Sequence, residues 1–462
     1  MRCLNRLNIP YLEFLPVFTP GRIGWNQVTS HTRRPNMQLR HMVNSRFDIG
    51  KVHCSIKRYN HKSLCPARRS AGIGAVPTLI KDKTMKKLIL AFMLATLLML
   101  GTVYAADPAA TSPQQSSSAA DLPAILKSFK PIGKFYLSYQ SAWQGDTNTV
   151  NSFMLKRGYF GADVDVTSYL TARFVGDITS DSSGNVMVRA KYLFGKFHWA
   201  GNDVITKPYM EFGLAHMPWL DFEEAINGFR MQDTMYLERN HVFNSADVGV
   251  MFGSDFGGSL DSDYKSKVNS HYAGRYGSWQ VGVYNGGGYH AKEMNNNKVL
   301  EGRITLRPVP DVVPGLQVSA FGIVGKGNQS GDDPPDWRLF NGMVSYESQY
   351  FTFTGQGSFG TGNQGGSAIT TDYTASEQTG FSIFAAAHLP LENGGKITIW
   401  GRTDTFNSDT DVLNDIKRLY IAGLAWHFYK SNIWLFDYQR TNHSVSTIEA
   451  EDRIQITLQV GF

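Results

Sequence analysis

From residue 133 to the C-terminus, apolar and polar positions alternate. The last stretch is the clearest. Ile454, Ile456, Leu458, Val460 and Phe462 share one face, and Gln455, Thr457, Gln459 and Gly461 share the other. Successive side chains of a strand point to opposite faces, so the run predicts one greasy and one wet side. The same pattern sets Leu170, Ala172, Phe174 and Ile178 against Thr171, Arg173 and Asp177. It sets Val186, Val188, Ala190, Tyr192 and Phe194 against Arg189 and Lys191. Leu300, Ile304 and Leu306 oppose Glu301, Arg303, Thr305 and Arg307, and Tyr420, Ala422, Leu424, Trp426 and Phe428 oppose small residues and His427. About sixteen such segments recur, each roughly ten residues long, the length of a tilted strand that crosses a bilayer.

Strand starts are expected near Gly133, Phe153, Tyr169, Val186, Lys207, Ala246, Tyr272, Val299, Leu316, Leu339, Phe351, Gly380, Lys396, Leu419, Asn432 and Arg453. Short connections alternate with longer polar ones, among them 144–151 and 218–245, while 257–270 is too long for its place. The expected fold is all-β: a transmembrane antiparallel β-barrel of about 16 strands, with short periplasmic turns and longer extracellular loops. Closure satisfies every backbone group in lipid and leaves no edge. Phe135, Tyr159, Trp199, Trp279, Trp426, Trp434 and Tyr438 are the expected aromatic girdles at the two interfaces.

Composition divides the chain. The totals of 45 basic and 39 acidic residues combine an Arg-rich stretch, 1–84, of net +12 with a remainder from Ala106 onward of net −8. Cys3, Cys54 and Cys65 all lie in the first stretch, which excludes disulfides and Cys-ligated metal from the barrel segment. Met85-Lys-Lys, an apolar run from Leu88 to Leu100 and the small-residue exit Val103 to Ala105 have the make-up of a cleavable signal peptide over 85–105. Residues 1–84 are then expected to be a disordered upstream extension produced by a misassigned start, and 106–132 a flexible periplasmic lead-in to a barrel domain over 133–462.

By alternation, the inward basic residues are Arg157, Arg173, Arg189, Lys191, Arg303, Arg307 and Arg402; the inward acids are Asp163, Asp165, Asp177, Glu211, Asp247, Glu301, Asp404 and Asp437. Fixed charge along a water-filled pore biases which ions pass. Arg157, Arg173 and Arg189 fall on successive strands, either as a basic stripe that pairs with carboxylate or phosphate oxygens or as partners of neighbouring acids. The connection 218–245 is the expected constriction loop, because it combines Trp219, Phe222, Phe229, Met231, Met235 and Tyr236 with Asp221, Glu223, Glu224, Arg230 and Arg239. Gly360-Thr-Gly362-Asn-Gln-Gly365 fits a dinucleotide fingerprint, but no helix pattern follows it. Acidic pairs such as Asp261 and Asp263 read as solvated loop tips, and no catalytic triad, metal set or cofactor site is expected.

Several stretches stand out together: Phe153-Met-Leu-Lys-Arg157-Gly-Tyr-Phe-Gly161, Leu170-Thr-Ala-Arg173-Phe, and Pro218-Trp-Leu-Asp-Phe-Glu-Glu-Ala leading to Gly228-Phe-Arg230, Leu237-Glu-Arg239 and Ser245-Ala-Asp-Val-Gly249. In their order they resemble the phosphate-selective porin O and P family of Gram-negative outer membranes. Ile421-Ala-Gly-Leu-Ala425 and Phe436-Asp-Tyr438 match as well, and a C-terminal Phe462 resembles the signal read by outer-membrane assembly machinery. The resemblance implies a 16-stranded homotrimeric porin among outer-membrane lipid and lipopolysaccharide, with an infolded loop. It implies no enzymatic activity, but passive diffusion of small hydrophilic solutes or of anions such as phosphate. The loop lacks the lysine cluster of that family's eponymous members: over 219–244, Arg230 and Arg239 face Asp221, Glu223, Glu224, Asp233 and Glu238. A surface hydrolase or adhesin-like barrel is the other reading, and strand number discriminates, because the smallest barrels fill their lumen with side chains.

Overall fold

The computed structural model describes residues 16–19, 22–25 and 128–462, except 182, 393, 413, 414 and 446. The expected signal peptide and the lead-in up to 127 lie outside the described residues. Of the first unit, 1–112, the described residues are an antiparallel pair, Pro16–Thr19 with Arg22–Trp25, and the rest of the expected upstream extension over 1–84 lies outside the described residues.

The second unit, 113–462, is a closed antiparallel barrel of 16 strands. In chain order they are β1 (Phe129–Gln144), β2 (Thr147–Thr167), β3 (Leu170–Ser180), β4 (Val186–His198), β5 (Ile205–His216), β6 (Ala246–Phe256), β7 (Gly277–Tyr284) and β8 (Val299–Leu306). The circle continues with β9 (Gln317–Lys326), β10 (Asp336–Glu347), β11 (Phe351–Thr361), β12 (Glu377–Pro390), β13 (Lys396–Asn407), β14 (Ile416–Tyr429), β15 (Asn432–His443) and β16 (Glu451–Gly461). It closes by pairing β16 with β1, from Glu451 opposite Gln144 to Gly461 opposite Lys134.

Burial is inverted relative to a water-soluble domain. On β16, Ile454, Ile456 and Phe462 are exposed, while Gln455, Thr457 and Gln459 are buried. Leu300, Ile304 and Leu306 on β8 and Val318 and Val324 on β9 also face outward, with Thr305 and Ser319 bonded to each other inside. Leaving one such side chain in water forgoes roughly 1.5–3 kcal/mol, so a belt of them belongs against lipid.

The strands lie close to their expected places, with three differences. The chain enters the sheet at Phe129 rather than Gly133. β2 begins at Thr147, so the long connection expected at 144–151 is the tight turn Gly145-Asp146, with Gly145 at φ +56°. The seventh strand begins at Gly277 rather than Tyr272, because 257–276 is a folded segment at the short-turn end that carries the helix Ser262–Lys267. The inner face is not uniformly polar either. Phe321, Ile323, Leu339, Met343, Phe384, Trp400, Leu419, Ile421 and Leu435 are buried and pack with the 218–245 connection. This half of the lumen is an apolar core.

Candidate functional site

Two β-bulges set the charged wall. On β2, Tyr136 pairs Arg157 and Leu137 pairs Leu155, which leaves Lys156 as the extra residue. Phe153 points outward, 86 % exposed, yet Arg157 and Tyr159, at the same parity, face inward. On β4, Val175 pairs Tyr192 and Gly176 pairs Ala190, which leaves Lys191 extra. Val188 faces out, whereas Tyr192 and Phe194 turn in and Leu193 takes the outer side. A bulge inserts one residue without a ladder partner and re-aims the side chains beyond it. This corrects three expectations: Tyr159 is not a girdle residue, and Tyr192 and Phe194 are not on the outer face. It also adds Lys156, Lys196 and His198 to the inner side, which simple alternation had missed.

The seven expected pore-lining basic residues divide into two groups. Arg157, Arg173 and Arg189 keep 22, 30 and 27 % of their side chains exposed. Arg157 and Arg189 donate to the same Asp177 oxygen at 2.7 and 2.9 Å, and Arg173 holds Asp163 bidentately at 2.6 and 2.7 Å. Lys191 is buried, its ammonium 4.6 Å from the Tyr159 ring centroid. Arg303, Arg307 and Arg402 are buried fasteners. Arg303 donates to the Pro218 carbonyl at 2.9 Å with its guanidinium 4.1 Å from the Phe222 ring; Arg307 donates to the Pro314 and Tyr272 carbonyls; Arg402 grips Asp404 and donates to the Thr234 carbonyl.

The 218–245 connection leaves β5, runs through the lumen and returns to β6. Its helices are α1 (Leu220–Ile226) and α2 (Tyr236–Arg239). Trp219 stacks on Phe321 and Phe229 on Trp400, while the Tyr236 hydroxyl meets Ser358 at 3.0 Å. Lys156, the bulged residue, donates to the Met231 and Gln232 carbonyls, and Arg239 bonds Gln232 and Gln439. The glycine-rich turn after β11 is a latch rather than a phosphate cradle: Asn363 donates to the His241 carbonyl, and the Gln364 side chain accepts from Asn244. From the short-turn end, Tyr272 donates to Asp221 at 2.6 Å and Asn269 to the Ala225 carbonyl at 2.8 Å.

The five loop residues singled out in the sequence occupy different surroundings. Glu223 is buried, accepts from Trp219 Nε1 at 2.9 Å and Gln356 Nε2 at 2.6 Å, and burial pushes its carboxyl up to about 7. Burial also raises Glu224, against the pull of Arg230 and Lys191. Burial pushes Asp221 up, but His216, the Tyr272 hydroxyl and Arg173 outweigh it and hold the carboxyl down at about 2. Arg230 pairs with both Glu224 and Glu238, and burial lowers Arg239 to about 10. Glu223 and Arg239 thus fasten the loop, whereas Asp221 and Glu224 stay near the charged wall.

Along this wall lie two adjoining cavities, of about 460 and 390 Å³, that share Arg173, Lys196, His198 and Glu211; the second also reaches Asp221 of the loop. Polar and charged side chains make up most of their lining. Among the described residues no group of three or more His, Cys, Asp or Glu could hold a metal ion, and Asp261 is used as the N-cap of the helix Ser262–Lys267.

No family model matches the chain, and no curated protein matches its sequence. Solved structures do. The structural neighbours include outer-membrane porins and channels. The anion-selective porin of Comamonas acidovorans aligns over 72 % of this chain and 99 % of its own at 9 % identity, with a TM-score of 0.50. The channel DcaP of Acinetobacter baumannii covers 72 % and 97 % at 12 % identity with a TM-score of 0.44, and Salmonella typhi OmpF in complex with daunomycin covers 72 % and 97 % at 12 % identity with a TM-score of 0.46. At these identities the likeness is one of fold, and the first carries it.

Proposed function

We propose that this protein is an outer-membrane diffusion channel for small hydrophilic solutes and ions, whose water route follows the β2–β5 side of the lumen. The observation that carries this reading is the division of the interior. The infolded loop packs against apolar wall residues on one side, while Arg157, Arg173, Arg189, Lys196, Asp163 and Glu211 form a polar, partly accessible wall on the other. Charge on that wall acts on ions at close range in a narrow, low-dielectric passage.

The selectivity that fits is a mild preference for anions, phosphate among them. The wall cations are largely neutralised by neighbouring carboxylates, but Arg157 and Arg189 share Asp177, which leaves a surplus of positive charge. The mature chain is read as an exported homotrimer seated in outer-membrane lipid and lipopolysaccharide, with Phe462 as its assembly signal. Planar-bilayer recording of the purified protein tests the function. Discrete channels whose reversal potential in a salt gradient leans modestly toward anions are expected; a correctly folded protein that passes no current overturns it.

A further inference from the structure

The connection 285–298, between β7 and β8 at the long-loop end, is pinned at both ends. Asn285 donates to the Val248 carbonyl at 2.9 Å and Gly286 to Asp247 at 2.6 Å. On the other side, Met294 donates to Asn328 at 2.8 Å and Asn328 to the Lys292 carbonyl at 2.8 Å. The first pin is the run Gly286, Gly287 and Gly288, with Gly286 and Gly288 at φ +105° and +81°, values at which any other residue would be strained. Tyr289 comes directly after them.

The Tyr289 hydroxyl reaches the wall pair. It accepts from Arg189 Nη2 at 3.1 Å and from Arg157 Nη1 at 3.3 Å, and donates at 3.3 Å to the Asp177 oxygen that both arginines grip. The Arg189 guanidinium sits 4.9 Å from the Tyr289 ring centroid, and the His290 ring stacks on that of Tyr289 at 4.7 Å. Burial, and then the charges of Arg189 and Arg157, push the His290 imidazole below its usual range against the pull of Asp177.

Two guanidinium forks that converge on one further oxygen make the geometry that binds a carboxylate or phosphate oxygen. Toward the two arginines a neutral phenol is a weak acceptor, since hydrogen bonds to a charged acceptor are roughly twice as strong, and a hydroxyl-bearing oxyanion such as hydrogen phosphate can also take over its donation to Asp177. We propose that Tyr289 is a tethered competitor for an oxyanion position between Arg157 and Arg189, and that an anionic solute displaces it and swings the 286–291 strap away on its glycines. This deepens the channel reading and rests on it only for the consequence in transport. A strap docked in the absence of anion lowers the apparent affinity by the fraction of time the position is free.

Binding of inorganic phosphate to the full chain folded in detergent, measured by calorimetry at constant ionic strength, tests the competition without needing conduction. Tyr289→Ala is expected to bind phosphate more tightly than the natural chain, on the order of tenfold if the strap is docked about nine-tenths of the time. Tyr289→Phe, which keeps the ring over Arg189 but loses the hydroxyl, should fall between them. Adding Arg189→Gln to Tyr289→Ala should abolish the gain. Equal affinities of the natural chain and Tyr289→Ala, or no phosphate binding by either, overturn the proposal. A tighter Tyr289→Ala in a protein that forms no channels leaves the competition standing and removes the channel reading; channels with equal affinities do the reverse.

Discussion

The ring of Phe229, in the infolded loop, stacks on the indole of Trp400 in β13, with centroids 4.9 Å apart and planes within 20° of each other. Phe384 closes the same cluster, its ring 6.1 Å from that of Phe229. One inward side chain of the loop thereby ties a long connection to the far wall. Phe229→Ala removes this anchor and should weaken loop docking by about 3–5 kcal/mol. The expected result is a noisier channel with frequent excursions to larger conductance, seen in single-channel records, and an earlier heat-induced shift in gel mobility. Records as quiet as those of the natural chain would show that the stack does not hold the loop.

Removing residues 231–238 takes away three of the four residues of α2 and the bonds of Tyr236 to β11, Thr234 to β13 and Gln232 to β15. Conductance should then rise, because the lumen loses its packing, and the bared Ile421 and Leu435 should lower thermal stability. An unchanged single-channel conductance would place the limiting width elsewhere.

Glu223 makes the loop sensitive to pH. Its folded carboxyl is raised from 4.5 to about 7, so the folded state binds the proton more tightly than the unfolded chain does. The stabilisation is fully present below about pH 4.5 and is lost as pH rises through 7, with a full span of about 3 kcal/mol. Loop docking should therefore be firmer at pH 5 than at pH 9, read as current noise or thermal midpoint. Glu223→Gln, which fixes the neutral form, should flatten this dependence. A profile that Glu223→Gln leaves unaltered would exclude this residue as its source.

Asp177 is a carboxylate that two arginines share. Asp177→Asn retains an acceptor but removes the charge, so reversal potentials should move toward stronger anion preference, with a stability loss of about 1–3 kcal/mol from the weakened bonds. A reversal potential that does not move would mean that permeating ions do not pass this pair.

Lys156 has no ladder partner, so deleting it leaves Leu155 outside, Arg157 inside and the pairing on both sides intact. The variant should still assemble, retaining the heat-dependent gel shift of a folded barrel, but it should lose the bonds to Met231 and Gln232 and gain current noise. Failure to assemble would show that the bulge itself is needed to close the barrel.

Much of this molecule is legible from residue order alone. Period-two alternation over β8, β9 and β16 yields strand, outward face and approximate length, because the strand's geometry and the lipid outside act on each residue separately. The apolar residues of 218–245 likewise mark it as a segment that packs. The Asp221–Tyr272 bond was not legible, because it joins segments entering the barrel from opposite ends. Nor was the role of Gly362-Asn-Gln, whose partners are His241, Val242 and Asn244, far away in sequence.

The chain by itself determined a closed β-barrel with a greasy exterior and a heavy inward loop, since these arise from local periodicity and composition. Only the tertiary structure decided which charges face the water. Bulges at Lys156 and Lys191 reversed the phase of their strands, Arg303, Arg307 and Arg402 became fasteners, and a tyrosine from a distant loop came to rest between two arginines. A bulge is one residue without a partner, and a partner exists only once neighbouring strands have paired.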